Sequence, residues 1–271
     1  MTEDVHSKEC PTGSGMIKTI NLTKRFGHLI AVDNLNLEIS AGEIFGFLGP
    51  NGAGKTTTIR ILTGLLKPTS GQALVGGYDI QKEPQRAKKI IGLVPDRPFL
   101  YQKLTGSEFL NFVADLYELP VEMKKRRIPE LLSLFEIDEW KNVLIEDYSH
   151  GMQRKLVMAS VLLHNPKVIF LDEPLVGLDP RAGRLVKRIF QELSQRKVTI
   201  LMSTHTVEIA EKLCHRIGII QEGRLVALGT NEELRRKAER GGEMAEGADL
   251  EDIFLKLTGG TEYEELLKYL E

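Results

Sequence analysis

The chain has little of several things, and each shortage narrows what it can be. No apolar run approaches the roughly 20 residues that a membrane-spanning helix needs. The longest, LVMASVLL at 156–163, reads as a buried helix. Two cysteines, Cys10 and Cys214, cannot build a disulfide framework, so both are expected to be free thiols in a reducing compartment. A formal net charge of −2 gives no global field that would draw nucleic acid. The basic run KKRR at 124–127 has no interleaved aromatics and is expected to be a solvated helix face. Tryptophan occurs once, at Trp140, where core packing is the expectation. The first 15 residues, MTEDVHSKECPTGSG, have no apolar core. They read as a disordered extension, not a secretory signal, with the fold beginning at Met16. The remaining composition, 42% hydrophobic and 27% charged, is that of a globular protein able to bury a full core.

Against these shortages one stretch stands out. Residues 49–57 read GPNGAGKTT, after the apolar run EIFGFL and before TIRILTGLL. The order is strand, glycine-rich turn, helix, and Gly49, Gly54, Lys55 and Thr56 fill the fixed positions of G-x-x-x-x-G-K-[ST]. Glycines free the backbone to wrap round an anion. Successive N–H groups and a helix N-terminus then face it. Lys55 can add a positive charge at the β- and γ-phosphates, and the Thr56 hydroxyl can ligate Mg²⁺. A turn without a ligand is the plainer alternative, but the flanking strand and helix favour a nucleotide.

The rest of the chain reads as buried strands alternating with helices, an α/β pattern. Ile17–Ile20 looks like a short first strand. LIAVDNLNLEI at 29–39 alternates in its second half, as a half-buried strand does. ALVGGYDI is strand, turn and strand end; IIGLV, KVIFLDEP and VTILMSTH are buried strands. KEPQRAKK is a short polar helix or loop. Residues 95–166 have helical spacing, and LTGSEFLNFVADLYEL carries an expected stripe of Phe109, Phe112, Val113 and Leu116. Pro180 sits at a first helical position after Asp179. RIGIIQEGRLVALG is a hairpin across Glu222-Gly223, and Thr230 with Glu233 makes a capping box. GGEMAEGA is a flexible link. Asp249 starts a helix with Leu250, Ile253, Phe254 and Leu257 on one face, Gly259 stops it, and a last helix begins at Thr261.

A phosphate loop needs a carboxylate to hold Mg²⁺, and KVIFLDEP offers Asp172 at the end of an apolar strand. Such strand ends point into the ligand crevice. Glu173 comes next, so it faces another way and is placed to take a proton from an attacking water.

With these residues in place, the chain resembles the nucleotide-binding subunit of an ATP-binding cassette (ABC) transporter. The likeness runs from Phe26 to His205 and on to about Leu228. It implies a P-loop NTPase (RecA-like) α/β core with an antiparallel β subdomain and an inserted α-helical subdomain. The implied division is an extension at 1–15, an ATPase domain at 16–230 with the helical subdomain at 96–166, and a helical extension at 231–271. Phe26 resembles the aromatic that stacks on adenine. Gly49, Pro50, Asn51, Gly52, Ala53, Gly54, Lys55, Thr56 and Thr57 would hold the phosphates. YSHGMQRK resembles the signature segment, whose Ser149 and Gly151 would reach the γ-phosphate held by a second subunit. Asp179 resembles the aspartate of the loop that crosses that interface, a role compatible with capping a helix. His205 resembles the switch histidine, beside Glu173 and Lys55 in catalysis. Thr56, Asp172 and Asp96 are the expected metal residues.

Two features depart from the family's commonest pattern. Asp96 stands where a glutamine is usual, and Tyr148, His150 and Met152 replace residues of L-S-G-G-Q. The signature variant, LTGSEFL and the tail LEDIFLKLTGG are similar to the subfamily that serves drug, antibiotic, ion and polysaccharide exporters. The resemblance implies MgATP hydrolysis between two chains, alike or paralogous, to drive transport through a separate transmembrane permease. It places the chain in the cytoplasm against the inner face of the membrane, with no nucleic acid as partner. A soluble ATPase of the same superfamily and a phosphate-loop kinase for a small molecule are the competing readings. The first lacks its tandem cassettes or long coiled coil here, and the second has no use for Ser149, Asp179 or His205.

Overall fold

The protein is described by a computed structural model covering residues 15–240 and 249–258. The first 14 residues with Cys10, the link GGEMAEGA, Gly259 and the helix expected from Thr261 lie outside the described residues.

Strand alternation builds the centre. The six-stranded sheet has the order β10-β9-β3-β8-β7-β6. β3 (Ile44–Leu48), β6 (Ile91–Val94), β7 (Val168–Asp172), β8 (Thr199–Thr204) and β9 (Arg216–Gln221) run parallel, and β10 (Arg224–Gly229) pairs antiparallel with β9. The period of two sends Phe45, Phe47, Val168, Phe170 and Leu201 into one core, and Ile44, Ile169, Leu171, Ile200 and Met202 into another. Both faces are therefore covered, which is why these strands read as continuous apolar runs.

The first core is closed by α1 (Lys55–Leu62) and by a second sheet of order β2-β1-β4-β5, all antiparallel. Its strands are β1 (Ile17–Phe26), β2 (Leu29–Ile39), β4 (Ser70–Val75) and β5 (Tyr78–Asp79). In β2 the expected alternation holds: Leu35, Leu37 and Ile39 are buried while Asn34, Asn36 and Glu38 are exposed. β1 is longer than expected, because register shifts around Asn21, whose φ is 48°, break the alternation. KEPQRAKK becomes α2 (Pro84–Ile90).

The second core is closed by α3 (Gly106–Leu116), α4 (Val121–Leu134), α5 (His150–Leu162) and α6 (Pro180–Gln195). Asp179 caps α6 and Pro180 opens it, as the sequence indicated. A third cluster joins Leu48, Ile217 and Ile219 to α7 (Val207–Leu213), α8 (Asn231–Arg240) and α9 (Leu250–Leu257). The capping box forms, with Thr230 N–H donating to Glu233 Oε2 at 2.9 Å and Glu233 N–H to Thr230 Oγ1 at 3.2 Å.

Three further expectations are corrected. Trp140 is not a core residue: it is 42% exposed, with its ring edge-on to Tyr148 and its carbonyl accepting the Tyr148 hydroxyl at 2.7 Å. The buried face of α3 is Phe109, Leu110 and Ala114, while Phe112 and Leu116 are exposed. That helix carries apolar residues on two faces, and only one can meet the core. In KKRR, Lys124 pairs with Asp115, and Arg127 Nη2 donates to Leu162 O at 2.5 Å, so only part of the run is a solvated face.

Cys214 Sγ faces Gly46, where an added Cβ would lie 2.8 Å from the sulfur. Burial pushes the thiol pKa up to about 12. A neutral thiol is a poor nucleophile. At pH 8, iodoacetamide should label the Cys214 peptide at least about tenfold more slowly in the native protein than in denaturant, read by mass spectrometry. Equal rates would contradict this burial.

Candidate functional site

The site forms where three parallel strands end side by side. Leu48 pairs with Thr204, and Asp172 with Ser203, so the segments after β3, β7 and β8 leave one edge of the sheet together. From that edge residues 49–54 curl back into α1. Gly54 has φ 107°, and a Cβ there would lie 2.3 Å from Ala31 O, so the turn needs glycine on both counts. The β9–β10 turn braces this loop: Gly223 N–H donates to Ala53 O, and Gly223 O accepts from Asp33 N–H, both at 2.9 Å.

A cavity of about 190 Å³ opens over the loop, lined by residues 51–57 with Asp96, Asp172 and Glu173. A roomier one, about 460 Å³, lies against β10, α8 and α9, walled mainly by Leu, Val, Ala and Ile. The smaller carries convergent donors and carboxylates, so chemistry, not volume, marks the site.

Lys55 is buried, and its Nζ donates to Gly49 O at 2.5 Å and Pro50 O at 3.0 Å. Burial lowers its pKa, and the carboxylates of Glu173 and Asp172 oppose that shift. Asp172 is 4% exposed and accepts from Thr56 Oγ1 at 2.9 Å and Ser203 Oγ at 2.5 Å. The residues fit a hard cation. Thr56, Asp172 and the bordering Asp96 offer only oxygen, the donor Mg²⁺ prefers. Among the described residues no cluster of three or more His, Cys, Asp or Glu could hold a metal by itself. Mg²⁺ suits such a site, since it takes most ligands from phosphate and water.

Glu173 has φ 49°, a left-handed backbone that costs a non-glycine residue about 1–3 kcal/mol. Its Oε1 lies 2.8 Å from His205 Nδ1, so the two expected catalytic side chains meet. Its carbonyl accepts Arg154 Nη1 at 2.6 Å, and Arg154 Nη2 donates to Asp96 O at 2.9 Å. The Asp96 carboxylate leans the same way, 3.5 Å from Arg154 Nη2. Neither Arg154 nor Ser203 was singled out from the sequence. Ser203 had a signal, because in VTILMSTH it stands two residues before His205 on a buried strand, which the structure places beside β7.

The other expected residues stand apart from this cavity. Ser149 is exposed and caps α5, its Oγ accepting from Met152 N–H at 3.3 Å, which leaves the hydroxyl proton free to point outward. Gly151 is half-buried beside Gly177 O. Asp179 is exposed and accepts from Arg181 and Ala182 N–H, both at 2.9 Å; the Ala182 bond leads in holding its carboxyl below the usual range. Phe26 is 48% exposed with Lys24 Nζ 4.9 Å from its ring centre, so it is a surface aromatic and not a core residue.

The chain is similar to known proteins in both sequence and fold. The ABC transporter family model matches residues 32–176. The linearmycin resistance ATP-binding protein of Bacillus subtilis is 38% identical over 219 residues, 81% of this chain and 70% of that one. The bacitracin transport ATP-binding protein of Bacillus licheniformis is 40% identical over 214 residues, 79% of this chain and 69% of that one. A probable multidrug ABC transporter ATP-binding protein of Escherichia coli is 35% identical over 253 residues, and the chain spans only 43% of it. Among solved structures, an ATP-binding subunit of an ABC transporter superposes with a TM-score of 0.82 at 30% identity, over 89% of this chain and 99% of that one. A dimeric ATP-binding cassette bound to ADP and Pi gives a TM-score of 0.73 at 27% identity, over 79% and 98%.

Ser203→Ala leaves the buried Asp172 carboxylate one donor short. It should destabilise the protein by about 1–3 kcal/mol in urea unfolding. An unchanged midpoint and slope would show that this bond contributes nothing.

Proposed function

Because the chain belongs to the ABC transporter family and is its ATP-binding, ATP-hydrolysing subunit, we propose that each nucleotide lies between two such chains. One chain contributes residues 49–57 and the other Ser149 and Gly151, with Asp179 at the crossing. The observation that carries this reading is the division of the site residues. Lys55, Thr56, Asp172, Glu173 and Asp96 border one cavity, whereas Ser149, Gly151 and Asp179 do not line it. The negative phosphates need donors on both sides, and the exposed N-terminus of α5, with the Ser149 hydroxyl, suits the open side. Phe26, half-exposed at the surface, stacks on the adenine.

Within the site, Lys55 leaves the carbonyls of Gly49 and Pro50 for phosphate oxygens, which are stronger acceptors. Thr56 and Asp172, with Asp96 at the rim, would hold Mg²⁺, whose charge would offset that of the phosphate oxygens. Glu173 takes the proton from the water that attacks the γ-phosphorus, and ADP and phosphate are the products. His205 holds the Glu173 carboxylate through Nδ1 and faces the γ-phosphate.

The reading extends to a separate transmembrane permease that carries the cargo across, by export as the named relatives suggest, with this chain on the inner face of the membrane. No described helix is long and apolar enough to cross a membrane. Phe99, Tyr101, Phe112 and Leu116 form an exposed apolar patch around α3, with Tyr101 edge-on to Phe99 at 5.8 Å and to Phe112 at 5.3 Å. An apolar patch of this kind is a contact surface, and its place beside the Asp96 loop suits a permease that senses the nucleotide.

Glu173→Gln should bind MgATP, lose turnover by at least about a hundredfold, and form an ATP-dependent dimer on gel filtration. Native turnover with no such dimer would remove Glu173 as the base. Separately, Phe99→Glu with Phe112→Glu should release the chain from solubilised membrane complexes while ATPase activity of the purified chain stays within about twofold. Unaltered recovery with a membrane partner would count against the patch.

A further inference from the structure

Arg154 sits just inside α5, the helix whose start carries Ser149 and Gly151. Its side chain is only 12% exposed. The two ends of its guanidinium serve different loops: Nη1 donates to the carbonyl of Glu173, and Nη2 to that of Asp96, whose carboxylate stands nearby. One side chain thus joins the segments that follow β6 and β7 to α5.

Glu173 is where this matters. Its backbone is left-handed, with φ 49°. A glutamate holds that conformation only if its surroundings fix it. On one side its N–H donates to Ser203 O at 3.2 Å; on the other its carbonyl takes the short, charge-assisted bond from Arg154 and a long one, 3.4 Å, from Val176 N–H. Freed from Arg154, the peptide after Glu173 can turn towards an ordinary right-handed or extended conformation. That rotation swings the carboxylate away from His205 Nδ1, now 2.8 Å distant.

We infer that Arg154 is a positioning residue for hydrolysis: it locks the backbone of Glu173 in the strained form that aims the carboxylate, and ties that lock and Asp96 to the signature helix. The inference rests on Glu173 being the base. It also gives Asp96 a role that needs no metal contact, as the second anchor of the same guanidinium. In the proposed dimer the start of α5 meets the partner's nucleotide, while the Glu173 it holds serves the chain's own. The Arg154 fork therefore links engagement at one site to the poise of the base at the other. Lysine cannot reproduce it, because a single ammonium lacks the planar fork that reaches both carbonyls.

The test is steady-state ATPase activity of the full chain as wild type, Arg154→Ala, Arg154→Lys, Glu173→Gln and the double variant Arg154→Ala with Glu173→Gln. Arg154→Ala should lower kcat roughly 10- to 100-fold, the cost of a slightly misplaced group, and change KM for ATP by less than about threefold. Arg154→Lys should recover part of the loss. In the Glu173→Gln background Arg154→Ala should cost nothing further, which a merely structural role would not produce. The inference is overturned if Arg154→Ala keeps kcat within about twofold of wild type, or if its loss is as large in the Glu173→Gln background. Should Arg154→Ala not fold, Arg154→Lys decides: wild-type kcat overturns the inference, and a lowered kcat at unchanged KM supports it. An active Glu173→Gln removes the base assignment itself, whereas an inactive Glu173→Gln beside a fully active Arg154→Ala removes this inference alone.

Discussion

A single buried carboxylate sets the geometry of this protein's working edge. Asp172 is 4% exposed, and an ionised group so placed is costly unless its oxygens are satisfied. Thr56 at the start of α1 satisfies one oxygen and Ser203 near the end of β8 the other. Satisfying that one charge therefore fixes three elements against each other: the strand that carries it, the neighbouring strand and the phosphate-loop helix. The next residue, Glu173, then has little freedom. Its N–H is committed to β8, its carbonyl to Arg154 and its carboxylate to His205.

The edge can be this crowded because the core beneath it is rigid. β3, β7 and β8 are buried on both faces, so their ends cannot shift without disturbing close-packed side chains on each side. The antiparallel sheet and α1 cover one face, and the helices from α3 to α6 the other. The turn at Gly223 reaches across to hold Ala53 and Asp33 together, so the phosphate loop is braced from outside as well.

How much of this the sequence carried depends on where the signal lay. The phosphate loop was legible because glycine and lysine at fixed spacing have one physical use after a buried strand. The central strands were legible because two-sided burial writes a continuous apolar run. The cap by Asp179 was legible because aspartate before proline is a local device. The first strand was misjudged in length because a bulge at Asn21 scrambles its alternation. Phe112 and Leu116 misled because an exposed apolar residue and a core residue look alike in one chain. Trp140 misled for the same reason. Arg154 was invisible: an arginine in a helix has many uses, and only the fold brings Glu173 and Asp96 to its two ends.

Ser149 and Asp179 each cap a helix, α5 and α6, and on the proposed assignment each also meets the second chain. A cap uses an oxygen lone pair and points inward along its own helix. That leaves the Ser149 proton and the remaining oxygen of Asp179 with no part in the caps. Residues fixed by their own helices lose little entropy when a second surface arrives, so they are pre-organised for contact. On the proposed assignment α5 touches one nucleotide with its first turn and steadies the base for another through Arg154. A helix is stiff over that short distance, so displacement of its start cannot be absorbed before it reaches Glu173. Two half-sites joined by such a rod are physically difficult to operate independently, and a pair of identical or related chains is the smallest assembly in which the rod has something to sense at both ends.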